Sequence, residues 1–344
     1  MKEKVKMANY KRNEIYHDVI SVLEQGAYNR FQIKAQIENK FHIKASWEAV
    51  NSALETLESI NYVKKEIKSG RDTYSLNQII KINEKTILGL PITEQQEALC
   101  CSLANRFKEL NPAINNTFLQ KMLVNIIEKK NLDIPYGLYL FGPCCVLKLT
   151  PECLSKYHST TDYDKEIKET LAEFNKYPDT DSLMEDVYTK TNNILYINRL
   201  SIYKLLSKPL KDKTSLSLLH LAIKQLLWSI PKEKDSEPII KYAEIFYSLF
   251  SRLAKLPEDK FEDVRMDIFA CFKSLWELIG TYQMYKTTKR FYENYDTKSN
   301  YNLAYLQLSA ILDASLFELS SSCPPLEISP EMKALRDSLV KKSQ

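Results

Sequence analysis

Glycine is scarce in this chain. Six glycines occur in 344 residues, at positions 26, 70, 89, 137, 142 and 280, and they never gather in one turn. Rossmann and P-loop enzymes need several glycines together where backbone approaches a phosphate, so both are excluded. Long apolar runs are missing as well. The most apolar stretches, 134–149 and 217–230, are interrupted by Gly and Pro or by Lys224, and they fall short of the roughly 20 residues a membrane helix requires. The charged N-terminus has no apolar h-region, so no secretory signal is expected. These absences lead to the expectation of a soluble, cytoplasmic protein with no membrane contact.

Histidine is rare too. His17, His42, His158 and His220 are the whole set, none stands in a nucleophile motif with Ser or Cys, and neither H-E-x-x-H nor C-x-x-C occurs. The acidic runs 162–169 and 179–186 read as helix N-termini that complement the macrodipole, not as acid–base pairs. No enzymatic activity and no cofactor are expected. Seven cysteines, two pairs of them adjacent (Cys100-Cys101 and Cys144-Cys145), do not form a secreted disulfide framework. They are expected to be reduced, buried thiols. The densest set of metal-type ligands, Cys144, Cys145, Cys153 and His158, lacks C-x2-C spacing, so no metal is expected.

What is present is ample core material. Apolar residues make up 44% and charged residues 27%, the balance of a folded protein, and the length suggests about two domains at roughly 150 residues each. Few Gly beside 13 Pro point to a mainly α protein. The net charge is +4, and residues 1–80, with 13 Lys and Arg against 10 Asp and Glu, carry most of it.

Ile15, Val19 and Leu23 fall at helical spacing and Gly26 then supplies a stop, which predicts a helix over 12–25. A second helix is predicted over 30–40 from Ile33 and Ile37. A third starts after the N-cap Ser46, with Val50, Ala53, Leu54 and Leu57 as one apolar stripe, and ends near Asn61. Two β-rich runs, 62–68 and 72–76, flank Ser69-Gly70 and predict a hairpin.

Three short helices and a basic hairpin, and above all the run SWEAVNSALETLESINYV leading straight into that hairpin, resemble the winged helix-turn-helix domains of prokaryotic transcription regulators. The resemblance spans residues 12–77, about one fifth of the chain. It implies that the third helix enters the DNA major groove while the hairpin, the wing, lies along the backbone or the adjacent minor groove. Candidate DNA contacts are then Ser46, Trp47, Asn51 and Ser52 at the third helix, with Asn51 able to bond an adenine edge. Lys64, Lys65, Lys68 and Arg71 on the wing, with Arg30, Lys34 and Lys44 around the second helix, are candidates for phosphate contacts. Trp47 reads equally as a ring packed under the wing. The third-helix face has no Lys or Arg and carries Glu48, Glu55 and Glu58, which also permits a protein-binding role.

Residues 81–92 read as a linker, and a capping box at Thr93 to Gln96 opens a helix, followed by another over 115–130. Segment 134–149 reads as two short strands or a buried irregular loop. Helices follow beyond Pro151, with breaks near Pro178, Pro209, Pro231 and Pro257. Helices 303–319 and 216–228 are apolar enough to need a core or a homodimer seam.

The expected fold class is mainly α: an N-terminal winged helix-turn-helix domain (1–80), a linker (81–92), a larger all-helical domain (93–325) for dimerisation, sensing or partner binding, and a C-terminal tail (326–344). The expected function is DNA-binding transcriptional regulation by a homodimer on double-stranded DNA, with a protein partner or small effector acting on the helical domain. Two alternatives come from other classes: an adaptor whose winged helix binds protein, and an RNA or single-strand binder using the basic, tyrosine-rich stretch 281–295.

Overall fold

A computed structural model describes residues 12–41, 44–59, 62–68, 70–77, 85–190, 193–209 and 213–324. Ser69, His42, the side chain of His17, residues 81–84 of the expected linker and the tail 326–344 lie outside the described residues. The chain is mainly helical. In order, the elements are α1 (Arg12–Leu23), β1 (Tyr28–Asn29), α2 (Arg30–Phe41), α3 (Trp47–Ser59), β2 (Val63–Lys68), β3 (Arg71–Leu76), α4 (Glu94–Leu110), α5 (Asn116–Lys130), β4 (Tyr136–Tyr139) and β5 (Gly142–Cys145). There follow α6 (Pro151–Ser155), α7 (Asp164–Phe174), α8 (Thr180–Lys190), α9 (Ile194–Leu206), α10 (Lys213–Ser229), α11 (Glu237–Leu253), α12 (Glu258–Thr288) and α13 (Thr297–Ser321). Among the described residues no helix is long and apolar enough to cross a membrane.

The local signals act as the side chains require. Thr93 Oγ1 accepts from the Gln96 amide at 3.2 Å while Gln96 Oε1 accepts from the Thr93 amide at 3.0 Å, closing the capping box of α4. In the acidic run before α8, Asp179 Oδ1 accepts from the Ser182 amide at 2.8 Å. In the other run Asp164 takes a two-point bond from Arg106 of α4, 2.7 Å on each oxygen, and so joins α4 to α7.

Three apolar cores form. Residues of α9–α13 build the first, residues of α4–α8 the second, and α1–α3 with the sheet the third. Segment 134–149 is a β-hairpin, β4 paired antiparallel with β5. Side chains alternate along its second half and into the residues after it, so Cys144 and Val146 enter the first core while Cys145 and Leu147 enter the second. The densest set of metal-type ligands is thereby pulled apart, with Cys153 in the second core and His158 exposed. Ile311 and Ala314 of α13 complete the third core, and Tyr16 Oη donates to Glu318 at 2.5 Å. The N-terminal helices are therefore closed by the last helix.

Helix α12 is buried along most of its length, and the hairpin lies across it. Trp276 Nε1 donates to the Leu140 carbonyl at 2.8 Å, and Thr287 Oγ1 accepts from the Leu138 amide at 2.8 Å. Gly137 makes that approach possible, since a Cβ there would stand 2.5 Å from Thr287 Oγ1 and 2.8 Å from Thr288 Cγ2. Gly137→Ala is expected to lower unfolding free energy by about 1–3 kcal/mol through overpacking, measured by urea denaturation; an unchanged midpoint would show that the hairpin shifts freely.

Burial holds the Cys101, Cys144 and Cys271 thiols neutral, pushing Cys144 up to about 12. A thiol with a raised folded pKa contributes stability that is complete below its unfolded value of about 8.5 and is lost as pH rises beyond it. Lys121 opposes this: burial lowers it to about 8, so its share of stability grows as pH rises from there toward about 10. Three such thiols outweigh one lysine. Stability is expected to fall by a few kcal/mol between about pH 7.5 and 9.5, with Cys271→Ala removing about 1 kcal/mol of that difference; equal denaturation midpoints at the two pH values would contradict it.

Candidate nucleic-acid interface

The N-terminal sheet has the order β1-β3-β2 and is antiparallel throughout. Strand β1 is an addition that the sequence did not announce, two residues long and paired with Tyr74 and Thr73. Across the hairpin, Val63 opposes Leu76, Lys65 opposes Tyr74 and Ile67 opposes Asp72, while Lys64, Glu66 and Lys68 oppose Ser75, Thr73 and Arg71. Directly paired residues share a face. Val63, Leu76 and Tyr74 are buried, which makes theirs the core side and puts Lys64, Lys68 and Arg71 on the outer side. The four wing cations are therefore divided three to one.

Carboxylates on the same hairpin engage most of them. Glu66 lies between Lys64 at 3.1 Å and Lys68 at 3.2 Å, and these two ammonium groups hold its carboxyl below the usual range. On the core side Asp72 takes Lys65 at 2.9 Å and Arg30 at 3.1 Å, and its carboxyl is likewise held down, chiefly by Lys65. Arg30 also donates to Tyr74 Oη at 3.4 Å, so it ties α2 to the sheet. Lys68 and Arg71 face each other across the strand pair, leaving two like charges side by side at the hairpin end.

Helix α3 begins as expected, with Ser46 Oγ accepting from the Ala49 amide at 3.1 Å. Val50, Ala53, Leu54 and Leu57 are buried. Ser52, Glu48, Glu55 and Glu58 are exposed, and Asn51 is half-buried. Trp47 packs edge-on against Phe31 of α2, ring centres 4.9 Å apart, with Lys34 Nζ 5.3 Å from its ring centre. Lys34 is also ion-paired to Glu38, and Lys44 is exposed.

Phe31 was not a candidate from the sequence, yet it is 65% exposed beside Trp47, and Ile67 on the hairpin is 77% exposed. The signal for Phe31 was its place off the Ile33–Ile37 stripe, directly after the reciprocal cap in which Asn29 Oδ1 accepts from the Phe31 and Gln32 amides, both at 3.0 Å, and the Asn29 amide donates to Gln32 Oε1.

The first part of the tyrosine-rich stretch is used internally, while Tyr295 and the cations Lys286, Lys289 and Arg290 are exposed. Tyr282 and Tyr285 are buried and donate to Glu233 and Asp235 at 2.9 and 3.1 Å, and Tyr285 stacks on Tyr301. Arg290 lies over the Tyr136 and Phe291 rings. In the helical part, His220 Nε2 is 3.3 Å from Ser251 Oγ, but that hydroxyl donates to the Tyr247 carbonyl at 2.7 Å and Nε2 also meets Tyr247 Oη at 3.0 Å. This is a packed polar contact, and among the described residues His220 makes no hydrogen bond to a carboxylate.

Comparison with models of protein families, with curated proteins and with solved structures finds no match for this chain.

The ion pairs make a testable statement about charge. Asp72→Asn removes the carboxylate shared by Lys65 and Arg30, and the variant is expected to elute from heparin at higher salt than wild type. An unchanged elution position would mean that the cations on the core side do not reach a polyanion.

Proposed function

We propose that residues 12–77 are a winged helix that binds duplex DNA and that the protein regulates transcription. The observation that carries this reading is the outer side of the hairpin, where Lys64, Lys68 and Arg71 project together and Lys68 and Arg71 form a directly opposed pair at its end. Like charges held side by side are stabilised by a polyanion that releases its counterions to them. The partner of Lys64 and Lys68, Glu66, is an exposed surface carboxylate, and ion pairs of that kind are weak enough to exchange for phosphate. Helix α3 supplies Asn51 and Ser52 for base edges, and its glutamates restrict approach to positions where a cytosine amine can receive them.

A homodimer accompanies this reading, because two winged helices spaced about one helical turn apart gain affinity that one lacks. Leu218, Leu221 and Trp228 of α10 lie on one exposed face, with Trp228 64% exposed, and supply an apolar seam.

A second reading, a winged helix that binds protein, is favoured by the exposed Phe31 and Ile67 together with the acidic face of α3. One measurement separates the two. With full-length protein and a fluorescent random-sequence duplex at low salt, binding is expected, and the Lys68→Ala/Arg71→Ala double variant is expected to lose affinity on all sequences and about two units of salt slope. Equal affinity of the double variant and wild type, or no duplex binding, overturns the DNA reading. Asn51→Ala is expected to cost about 1–3 kcal/mol at a selected site and little on random sequence. Light scattering is expected to give twice the chain mass.

A further inference from the structure

Among the described residues the helical part contains two buried cations without a carboxylate in ion-pair contact, Asp181 attracting Arg199 only from a distance. Arg199 of α9 is 4% exposed and Lys121 of α5 is 5% exposed. Among the described residues neither forms an ion pair; Lys121 Nζ donates to the Pro143 carbonyl at 2.8 Å. Arg199 Nε and Nη1, and Nδ2 of the adjacent Asn198, are buried N–H donors without an acceptor. A buried, unpaired charge is costly, and each unsatisfied buried donor adds to that cost.

Both cations border the same turn. Arg199 lies 4.8 Å from the ring centre of Phe141, and its other neighbours are the Tyr203 and Trp276 rings at 4.9 and 5.9 Å. Lys121 reaches the other side of that turn at Pro143, and its ammonium stands 3.5 Å from where a Cβ of Gly142 would be. Gly142 has φ +86°, a left-handed conformation that a larger residue adopts only with strain. The turn is fixed from outside, since Tyr196 Oη donates to the Tyr139 carbonyl at 2.6 Å and Trp276 Nε1 to that of Leu140. Three rings stand around the guanidinium, yet Nε and Nη1 have no hydrogen-bond acceptor. Arg199 also depresses the Lys121 ammonium, after burial itself, consistent with two positive charges sharing one environment.

Two buried cations and two idle guanidinium N–H donors, with no carboxylate in ion-pair contact among the described residues, describe a site that lacks its acceptor. We propose that Arg199 and Lys121 form a binding site for a phosphate-class oxyanion, free or as a phosphate monoester, entered beside Phe141. That residue is 40% exposed and separates Arg199 from solvent by one ring. A tetrahedral oxyanion accepts from a guanidinium edge and from an ammonium, and Arg199 has an unanswered N–H on each of two edges, at Nε and at Nη1. This inference stands apart from the DNA reading, because it concerns residues remote in sequence from the hairpin and needs no nucleic acid.

The test is thermal unfolding of the full chain in about 20 mM inorganic phosphate, phenyl phosphate, acetate or chloride at matched ionic strength. Phosphate is expected to raise Tm by a few degrees over chloride through preferential binding to the folded state, with acetate giving a smaller rise. A larger rise with phenyl phosphate identifies a monoester site, and a rise with inorganic phosphate alone a free-phosphate site. Arg199→Met and Lys121→Met, which remove a buried charge while keeping most of the side-chain volume, are expected to match or exceed the wild-type Tm in chloride and to lose the phosphate response. Should Arg199→Met fail to fold, Lys121→Met and direct calorimetric titration of wild type with phosphate decide. Equal wild-type Tm in phosphate and chloride with no titration heat overturns the proposal, as does a response that survives in both variants; an acetate response equal to that of phosphate overturns the assignment to phosphate.

Discussion

The second half of helix α12 must be covered on every side. From Cys271 through Trp276 and Tyr282 to Tyr285 nearly every residue is buried, and a helical segment of that kind exists only inside a ring of other elements. Helices α9, α11 and α13 and the β4–β5 hairpin supply that ring. The hairpin approaches closely because glycines stand at both contacts. A Cβ on Gly280 would lie 2.9 Å from Leu140 Cδ2, as one on Gly137 would collide with α12 itself. Residues far from the site thus fix the turn that carries Phe141 and Gly142.

The same constraint reaches the N-terminal unit. Helix α13 lies along α12, and its far side presents Ile311 and Ala314 to the core of α1–α3. Leu308 packs against both cores, and Gln307 Nε2 donates to Glu24 at 3.1 Å while Glu318 accepts from Tyr16. The three N-terminal helices and their hairpin therefore sit on the helical body through apolar packing and side-chain hydrogen bonds that include these two.

Charge on the hairpin shows why residue type alone is an incomplete guide. Four cations within eight positions suggest one concentrated patch, yet the period of a strand sends Lys65 to the opposite side from Lys64 and Lys68. Two acids on the same strands, Glu66 and Asp72, then take up four cations between them, Arg30 included. Arg71, at the outer end, carries no ion pair among the described residues.

Local periodicity and capping were legible in the sequence. The stripe Val50, Ala53, Leu54 and Leu57, the cap at Ser46, the capping box at Thr93 and the helix breaks near Pro178, Pro209, Pro231 and Pro257 follow from interactions within one or two turns, which a sequence contains in full. Segment 134–149 stayed open between strands and irregular loop because its partner surface, α12, lies more than a hundred residues away. Helix α13 looked apolar nearly all round, yet only tertiary packing decided that it closes two cores while leaving Leu303, Leu306 and Phe317 exposed. Lys121 and Arg199 gave no signal at all in one dimension. They stand 78 positions apart on ordinary helices, and only the folding of α5, α9 and one hairpin turn against each other buries both charges with no carboxylate in ion-pair contact among the described residues.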